Sequence, residues 1–319
     1  MNILSKESAT WHEIGPAAEG QRVDNFLVRL LKGVPKSHVY RMLRSGQVRV
    51  NSGRVGPDHR LKAGDKVRVP PVRTAASKAT TPVGALRKTP LEVLYEDDAL
   101  LVVNKPAGLA VHGGSGVSYG VIEQLRHERP NAPFLELVHR LDRDTSGVLM
   151  LAKKRSALVA LHEQMRSGEA HKYYLTLVRG KWANAKQKVQ LGLHKYVLPS
   201  GERRVKVSPE GAPSVTIFRL KSAKAGYSLL EAELKTGRTH QIRVHLAHLG
   251  FPIAGDDKYG DYEANKEMAR LGLKRMFLHA AKLVVRHPAT DQEMVFEAPL
   301  APDLSGFLAR LEAPLAATL

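Results

Sequence analysis

Apolar positions along the first quarter of the chain recur with helical and then strand spacing. Val23, Phe26, Leu27 and Leu30 fall at i, i+3, i+4 and i+7, and Val39, Met42 and Leu43 repeat the pattern. This predicts two short amphipathic helices separated by Gly33-Val34-Pro35, with Ser37 as N-cap of the second and Gly46 as its stop. Arg41 and Arg44, three apart, then share a face away from the apolar stripe. Residues 47–51 alternate as a strand, Asn51-Ser52-Gly53 reads as a turn, and residues 66–69 alternate again after Gly64-Asp65. Further on, residues 91–95 and 99–103 flank a Glu96-Asp97-Asp98 turn and predict a hairpin. Strands are expected at 173–178, 214–220 and 229–234, and helices at 156–165 and near 120–126. Successive strands without a regular intervening helix favour an α+β fold, with a mixed, mainly antiparallel sheet, over a doubly wound one.

The domain organisation follows from composition. After Pro70-Pro71 the chain becomes poor in large apolar residues and rich in Thr, Ala and Pro. The expected division is therefore a tail at 1–20, a small domain at 21–73, a linker at 74–90 and a larger domain at 91–319. Apolar runs of five residues, such as 99–103 and 148–152, are far short of a membrane span. The first residues lack the apolar stretch of a secretory signal, so the cytoplasm is the expected location. With no cysteine there is no disulfide, thiolate metal site or thiol nucleophile. The fourteen histidines form no HExxH pair, and no metal is expected. No strong interface signal stands out, so a monomer is the default.

Charge narrows the class of partner. Lys and Arg number 49 against 31 Asp and Glu, a net charge of +18, which points to a polyanion. Residues 21–73 carry thirteen Lys or Arg against three Asp, so more than half of the surplus sits in a sixth of the chain. A charge run alone can be a plain solvated surface. Here the cations lie on a compact helix–helix–hairpin unit, and QRVDNFL, KSHVYRMLRSGQVRVN and LKAGDKVRV resemble the S-four-type RNA-binding module. Arg22, Lys36, Arg41 and Arg44 are its candidate RNA contacts, by shape and phosphate rather than base sequence.

Candidate chemistry concentrates in VHRLDRDTSGVLMLAKK, residues 138–154. Asp142 and Asp144 are one residue apart, so in extended backbone they point to opposite faces and only one enters a given site. A pair of facing carboxylates, as glycoside hydrolysis uses, is thus absent. In KTGRTHQIRVH, Arg238 and Arg243 flank His240 and Gln241. Either arginine folded over Asp142 would keep the carboxylate charged when desolvated. The Gly-rich HGGSGVSYG fits neither the dinucleotide nor the P-loop pattern and reads as a tight turn near a site. Taken alone, an Asp before Thr-Ser-Gly is more often a turn or helix cap.

Four strings in order, NKPAGLAVHGG, VHRLDRDTSG, KYYLTLVRG and GRTHQIRVH, resemble the RluA-type pseudouridine synthases, and with the N-terminal module they span nearly the whole chain. VHGGSGVSYGVIE and KGVPKS are most similar to the subgroup acting on large-subunit ribosomal RNA. The resemblance implies an enzyme that isomerises uridine to pseudouridine in that RNA, without cofactor or metal. It places the essential aspartate at Asp142, the base-stacking tyrosine at Tyr174, the aspartate's arginine partner at Arg243, and at Arg140 an arginine filling the space left by the extruded nucleotide. Lys105 and Pro106 match a segment building the cleft floor, Ile242 is packing, and Arg238 is a surface phosphate contact. Asp142 is either a nucleophile or a base that removes a ribose proton. The competing readings are a non-catalytic RNA-binding or ribosome-assembly protein and a nucleoside hydrolase. The latter calls for a second carboxylate or a metal to activate water.

Overall fold

The structure is a computed structural model that describes residues 8–31, 33–72, 90–113, 119–224 and 226–312. The expected linker, Pro90 excepted, and the centre of HGGSGVSYG lie outside the described residues. The chain divides into two compact units, Met1–Lys88 and Thr89–Leu319.

In the first unit, strand β1 (Thr10–Glu13) is followed by helices α1 (Val23–Leu30) and α2 (Lys36–Arg44) and strands β2 (Arg49–Val50), β3 (Gly53–Arg54) and β4 (Lys66–Val69), in sheet order β1-β4-β2-β3. The apolar stripes do what their spacing predicts: Val23, Leu27, Val39, Met42 and Leu43 are buried together with Val50, Val67 and Val69. Three expectations change. Residues 10–13 are not tail but an edge strand paired with Lys66–Val69, where Ile14 adds an apolar plug. Ser37 is not the N-cap; Pro35, extended at ψ 139°, precedes the helix and leaves Ser37 inside its first turn. The strand expected at 47–51 pairs only at Arg49–Val50, because Asn51 and Ser52 turn into left-handed backbone to close the hairpin.

The second unit is built on one twisted sheet of eleven strands. Its elements in chain order are β5 (Glu92–Glu96), β6 (Leu100–Lys105), α3 (Val121–Glu128), β7 (Glu136–Leu137), β8 (Ser146–Ala152), α4 (Arg155–Ser167), β9 (His171–Arg179), β10 (Lys186–Val197), β11 (Arg203–Val207), β12 (Ala212–Lys224), β13 (Tyr227–Leu234), α5 (Gln241–His248), α6 (Tyr262–Arg270), β14 (Leu278–Arg286), β15 (Glu293–Glu297) and α7 (Pro302–Glu312). The spatial order is β11-β10-β12-β13-β9-β14-β8-β6-β5, with β15 on β14 and β7 on β8. All pairings are antiparallel except β14 with β8, the mixed, mainly antiparallel arrangement expected.

Both sheet faces are covered at the centre, which explains why β6 and β8 are unbroken apolar runs. Leu101, Val103, Leu149 and Leu151 join one core with Val121, Leu125, Tyr174 and Ile242. Leu100, Val102, Val148 and Met150 join another with Leu158 and Leu161 of α4. At the parallel β8–β14 contact Gly147 has φ 110°, and a Cβ there would collide with the Ala280 carbonyl. The loop from β7 to β8 thereby leaves residues 139–145 at the edge of the first core.

Candidate active site

A cleft of about 1130 Å³ opens on that face, lined by residues 137–143, by Lys172 and Tyr174 of β9, by the β10–β11 hairpin and by residues 237–243. Among the described residues, nine of its lining side chains are Lys or Arg and one, Asp142, is a carboxylate. Such a cleft concentrates polyanions while focusing its field on a single acid.

Asp142 is held from one side. Arg243 Nη1 donates to Asp142 Oδ2 at 3.2 Å, and His240 Nε2 lies 3.9 Å from the same oxygen. Arg243 is itself fixed: Nε and Nη2 donate to Asp256 Oδ2 and Oδ1 at 2.7 and 2.6 Å, a bidentate grip. The guanidinium carbon sits 5.1 Å from the Tyr259 ring centroid. Burial works against the Arg243 charge, but Asp256 and Asp142 more than offset it and drive its pKa above the usual value. Asp256, 1% exposed, also accepts from the Lys258 and Tyr259 N–H groups. Burial opposes its ionisation; the Arg243 hydrogen bonds and charge win, and its pKa falls below the ordinary carboxylate range.

His240 is the left-handed residue (φ 52°) that starts α5. Burial lowers its pKa, with Asp142 opposing. The Tyr259 hydroxyl accepts from Val205 N–H at 2.9 Å and is 2.8 Å from His240 Nδ1. Donation of the phenol proton to Nδ1 leaves the imidazole proton on Nε2, towards Asp142. Gln241, buried, ties the turn: its Oε1 accepts from Thr236 Oγ1 and Arg238 N, and its Nε2 donates to Val215 O and Thr216 Oγ1.

Beneath the Asp142 loop, the fully buried Lys105 ammonium donates to the carbonyls of Pro106, Leu109 and Arg143 at 2.8, 2.8 and 2.9 Å. Burial pushes its pKa down to about 7 against the opposing charges of Asp144 and Asp142. Lys105 thus staples two loops, the one after β6 and the one carrying Asp142. Tyr174 is 6% exposed, and burial, then the Asp142 charge, raise its phenol pKa. Tyr173, its neighbour, turns to the other face beneath the Lys282 ammonium, 4.8 Å away.

The cleft thus gathers Asp142, Arg140, Tyr174, Arg243 and Arg238, residues spread over a hundred positions. Arg140 is exposed and makes no ion pair with another described residue. Arg238 is exposed at the rim, donating to Pro213 O at 3.2 Å. Asp144 does not line the cleft and pairs with Arg143. In the first unit, Lys36, Arg41 and Arg44 are exposed on α2, with Arg41 2.7 Å from His38 Nδ1. Arg22 differs, being tied at 2.8 Å to the buried Asp24, which also accepts from Tyr40. Asp256, Tyr259 and Lys172 escaped the sequence reading, and Gln241 was noted there without a role. The pattern DDKYG at 256–260 was the available signal for the first two.

The chain that carries this single carboxylate, gripped by a buried arginine next to a buried tyrosine in a cationic cleft, is similar to known proteins. Residues 99–248 match the family described as RNA pseudouridylate synthase, and residues 21–67 match the S4 domain. The chain belongs to the RNA pseudouridylate synthase family. It is 56% identical over 289 residues to ribosomal large subunit pseudouridine synthase C of Salmonella typhimurium, covering 88% of this chain and 90% of that protein. The Escherichia coli K12 protein of the same name is 55% identical over 300 residues, covering 92% and 93%. Among solved structures, human RNA pseudouridylate synthase domain containing 4 is 27% identical with a TM-score of 0.57, over 69% of this chain and 92% of that one.

Proposed function

We propose that this enzyme converts specific uridines of large-subunit ribosomal RNA to pseudouridine, with Asp142 as the catalytic residue. The reaction breaks the bond from ribose to the uracil nitrogen, turns the base and rejoins it through carbon, a rearrangement without net oxidation. Asp142 acts either as nucleophile or as base for a ribose proton, and Arg243, 3.2 Å away, aims it. Tyr174 stacks on the uracil, and Arg140 fills the gap the base leaves. A paired base is out of reach of Asp142, so the target is unpaired or flipped out at a cost of a few kcal/mol, offset by phosphate contacts. Lys36, Arg41 and Arg44, with a lesser part for the paired Arg22, anchor the RNA in the N-terminal domain, and Arg238 adds a contact at the rim. The reading assigns no cofactor or metal to the reaction, takes the chain as a monomer and places it in the cytoplasm with its substrate.

The observation that carries this reading is the one cleft carboxylate, Asp142, 3.2 Å from Arg243 and lining the same cleft as Tyr174. Its test is a site-resolved pseudouridine map of ribosomal RNA with and without the protein. Specific positions in the large-subunit RNA are expected to lose the modification, to regain it with the wild type and not with Asp142→Asn. An unchanged map would make the chain a binder, and free uracil among the products would make it a hydrolase.

A further inference from the structure

Lys172 sits two residues before Tyr174 on β9, and both line the cleft. Alternation along a strand puts them on the same face. Lys172 forms no ion pair with another described residue, and the one carboxylate lining the cleft, Asp142, is engaged by Arg243. Burial lowers the Lys172 pKa, and the Lys172 charge in turn helps to push down the pKa of the neighbouring buried His139. A desolvated, unpaired ammonium costs stability unless something answers it.

The turn opposite keeps that ammonium accessible. A Cβ on Gly237 would stand 3.7 Å from Lys172 Nζ. The Gly237 backbone is outside the left-handed region, so conformation does not demand glycine there. Glycine leaves open space above the ammonium, where a larger side chain would cover it.

We propose that Lys172 binds a backbone phosphate of the RNA strand beside the target uridine, forming an anion subsite with Gly237 as its open side. This deepens the reading of the cleft as an RNA site and rests on it. A phosphate, unlike a base edge, needs no hydrogen-bond pattern beyond a point charge, which is what a lysine supplies.

The test is a single-site methylphosphonate scan of a short RNA containing the uridine identified by the pseudouridine map. Binding is measured over a range of salt for wild type, Lys172→Met, Lys172→Gln and Lys172→Arg, with thermal melting to confirm that each is folded. For the wild type, neutralising one particular phosphate weakens binding about tenfold. Lys172→Met and Lys172→Gln weaken binding to unmodified RNA to a similar degree and become insensitive to that phosphate. Their log–log salt slope falls by about 0.7. Lys172→Arg retains sensitivity to the same phosphate. Equal sensitivity of wild type and variants at every phosphate, or an unchanged salt slope, overturns the proposal. Should only Lys172→Arg fold, loss of its sensitivity to every phosphate overturns it equally. Wild-type pseudouridine formation is read in parallel, so failure of this subsite is distinct from failure of the RNA-isomerising function.

Discussion

Replacing Asp256 by asparagine removes one charge from a trio in which Arg243 lies between two carboxylates, while leaving the cleft surface untouched. Asp256 receives four hydrogen bonds, two from Arg243 at 2.6 and 2.7 Å and two from backbone N–H groups at 2.9 and 3.1 Å. The asparagine oxygen keeps the backbone pair, but its NH₂ faces the Arg243 Nε–H, donor against donor. Breaking a buried ion pair from one side costs about 3–5 kcal/mol; the remaining Asp142 contact puts this case near about 3 kcal/mol. For a domain of this size that lowers Tm by about 6–12 °C. Freed from its bidentate seat, the guanidinium follows Asp142 or the exposed Asp257, which it already meets at 3.4 Å. With Asp142 as the proposed reacting carboxylate, a displacement of about 1 Å there costs about 100-fold in turnover, with KM for RNA within about threefold because Asp256 is buried. Differential scanning fluorimetry and single-turnover pseudouridine formation measure both. The pH dependence has a fixed sign: a carboxyl whose folded pKa is lowered contributes stability at high pH and loses it as pH falls through the folded value. Wild type therefore loses this contribution below about pH 4, whereas the variant has none to lose there. Full turnover in a folded Asp256→Asn protein would refute the idea that the Arg243 seat positions Asp142.

Three further outcomes follow from other parts of the molecule. Lys105→Met strands the carbonyls of Pro106, Leu109 and Arg143 and costs about 3 kcal/mol in urea unfolding, with turnover falling and RNA affinity preserved. Gly147→Ala forces a Cβ into the Ala280 carbonyl at φ 110° and destabilises by at least about 2 kcal/mol, seen as a lower urea midpoint. Arg41→Glu with Arg44→Glu reverses two exposed charges on α2; affinity for ribosomal RNA fragments drops and the salt slope becomes shallower, while turnover at saturating RNA is unchanged.

What the sequence made legible was local. The N-terminal helices showed because each buries one stripe, and residues 66–69 showed because they alternate. Helix α5 gave no such signal: Gln241 to Leu246 are all buried, so no polar face marks its period. Strand β10 alternates through Val189, Leu191 and Leu193, but a central Gly192 interrupts the β-forming pattern. Helix α7, near the C-terminus, was not anticipated either, although Leu304 and Phe307 are wholly buried against Phe277 and Met268.

The site divides along the same line. Motif strings located Asp142, Tyr174 and Arg243, yet no string says that Arg243 reaches Asp142 across 101 positions or that it is seated in Asp256. Those facts depend on β9, β13 and α5 meeting over one core. Spacing could identify the acid, but not the cationic surroundings that it meets at the edge of an apolar core. One guanidinium is shared by Asp142, Asp256 and the exposed Asp257, and among the described residues the cleft around it carries eight further Lys or Arg side chains. Those cations favour arriving phosphates. On the proposed reading, an RNA strand entering the cleft neutralises those exposed cations, which leaves Arg243, seated in the buried Asp256, as the partner that Asp142 keeps once substrate is bound. A surface arginine such as Arg238, exposed at the rim, could not fill that role, because the incoming phosphates would compete for it directly.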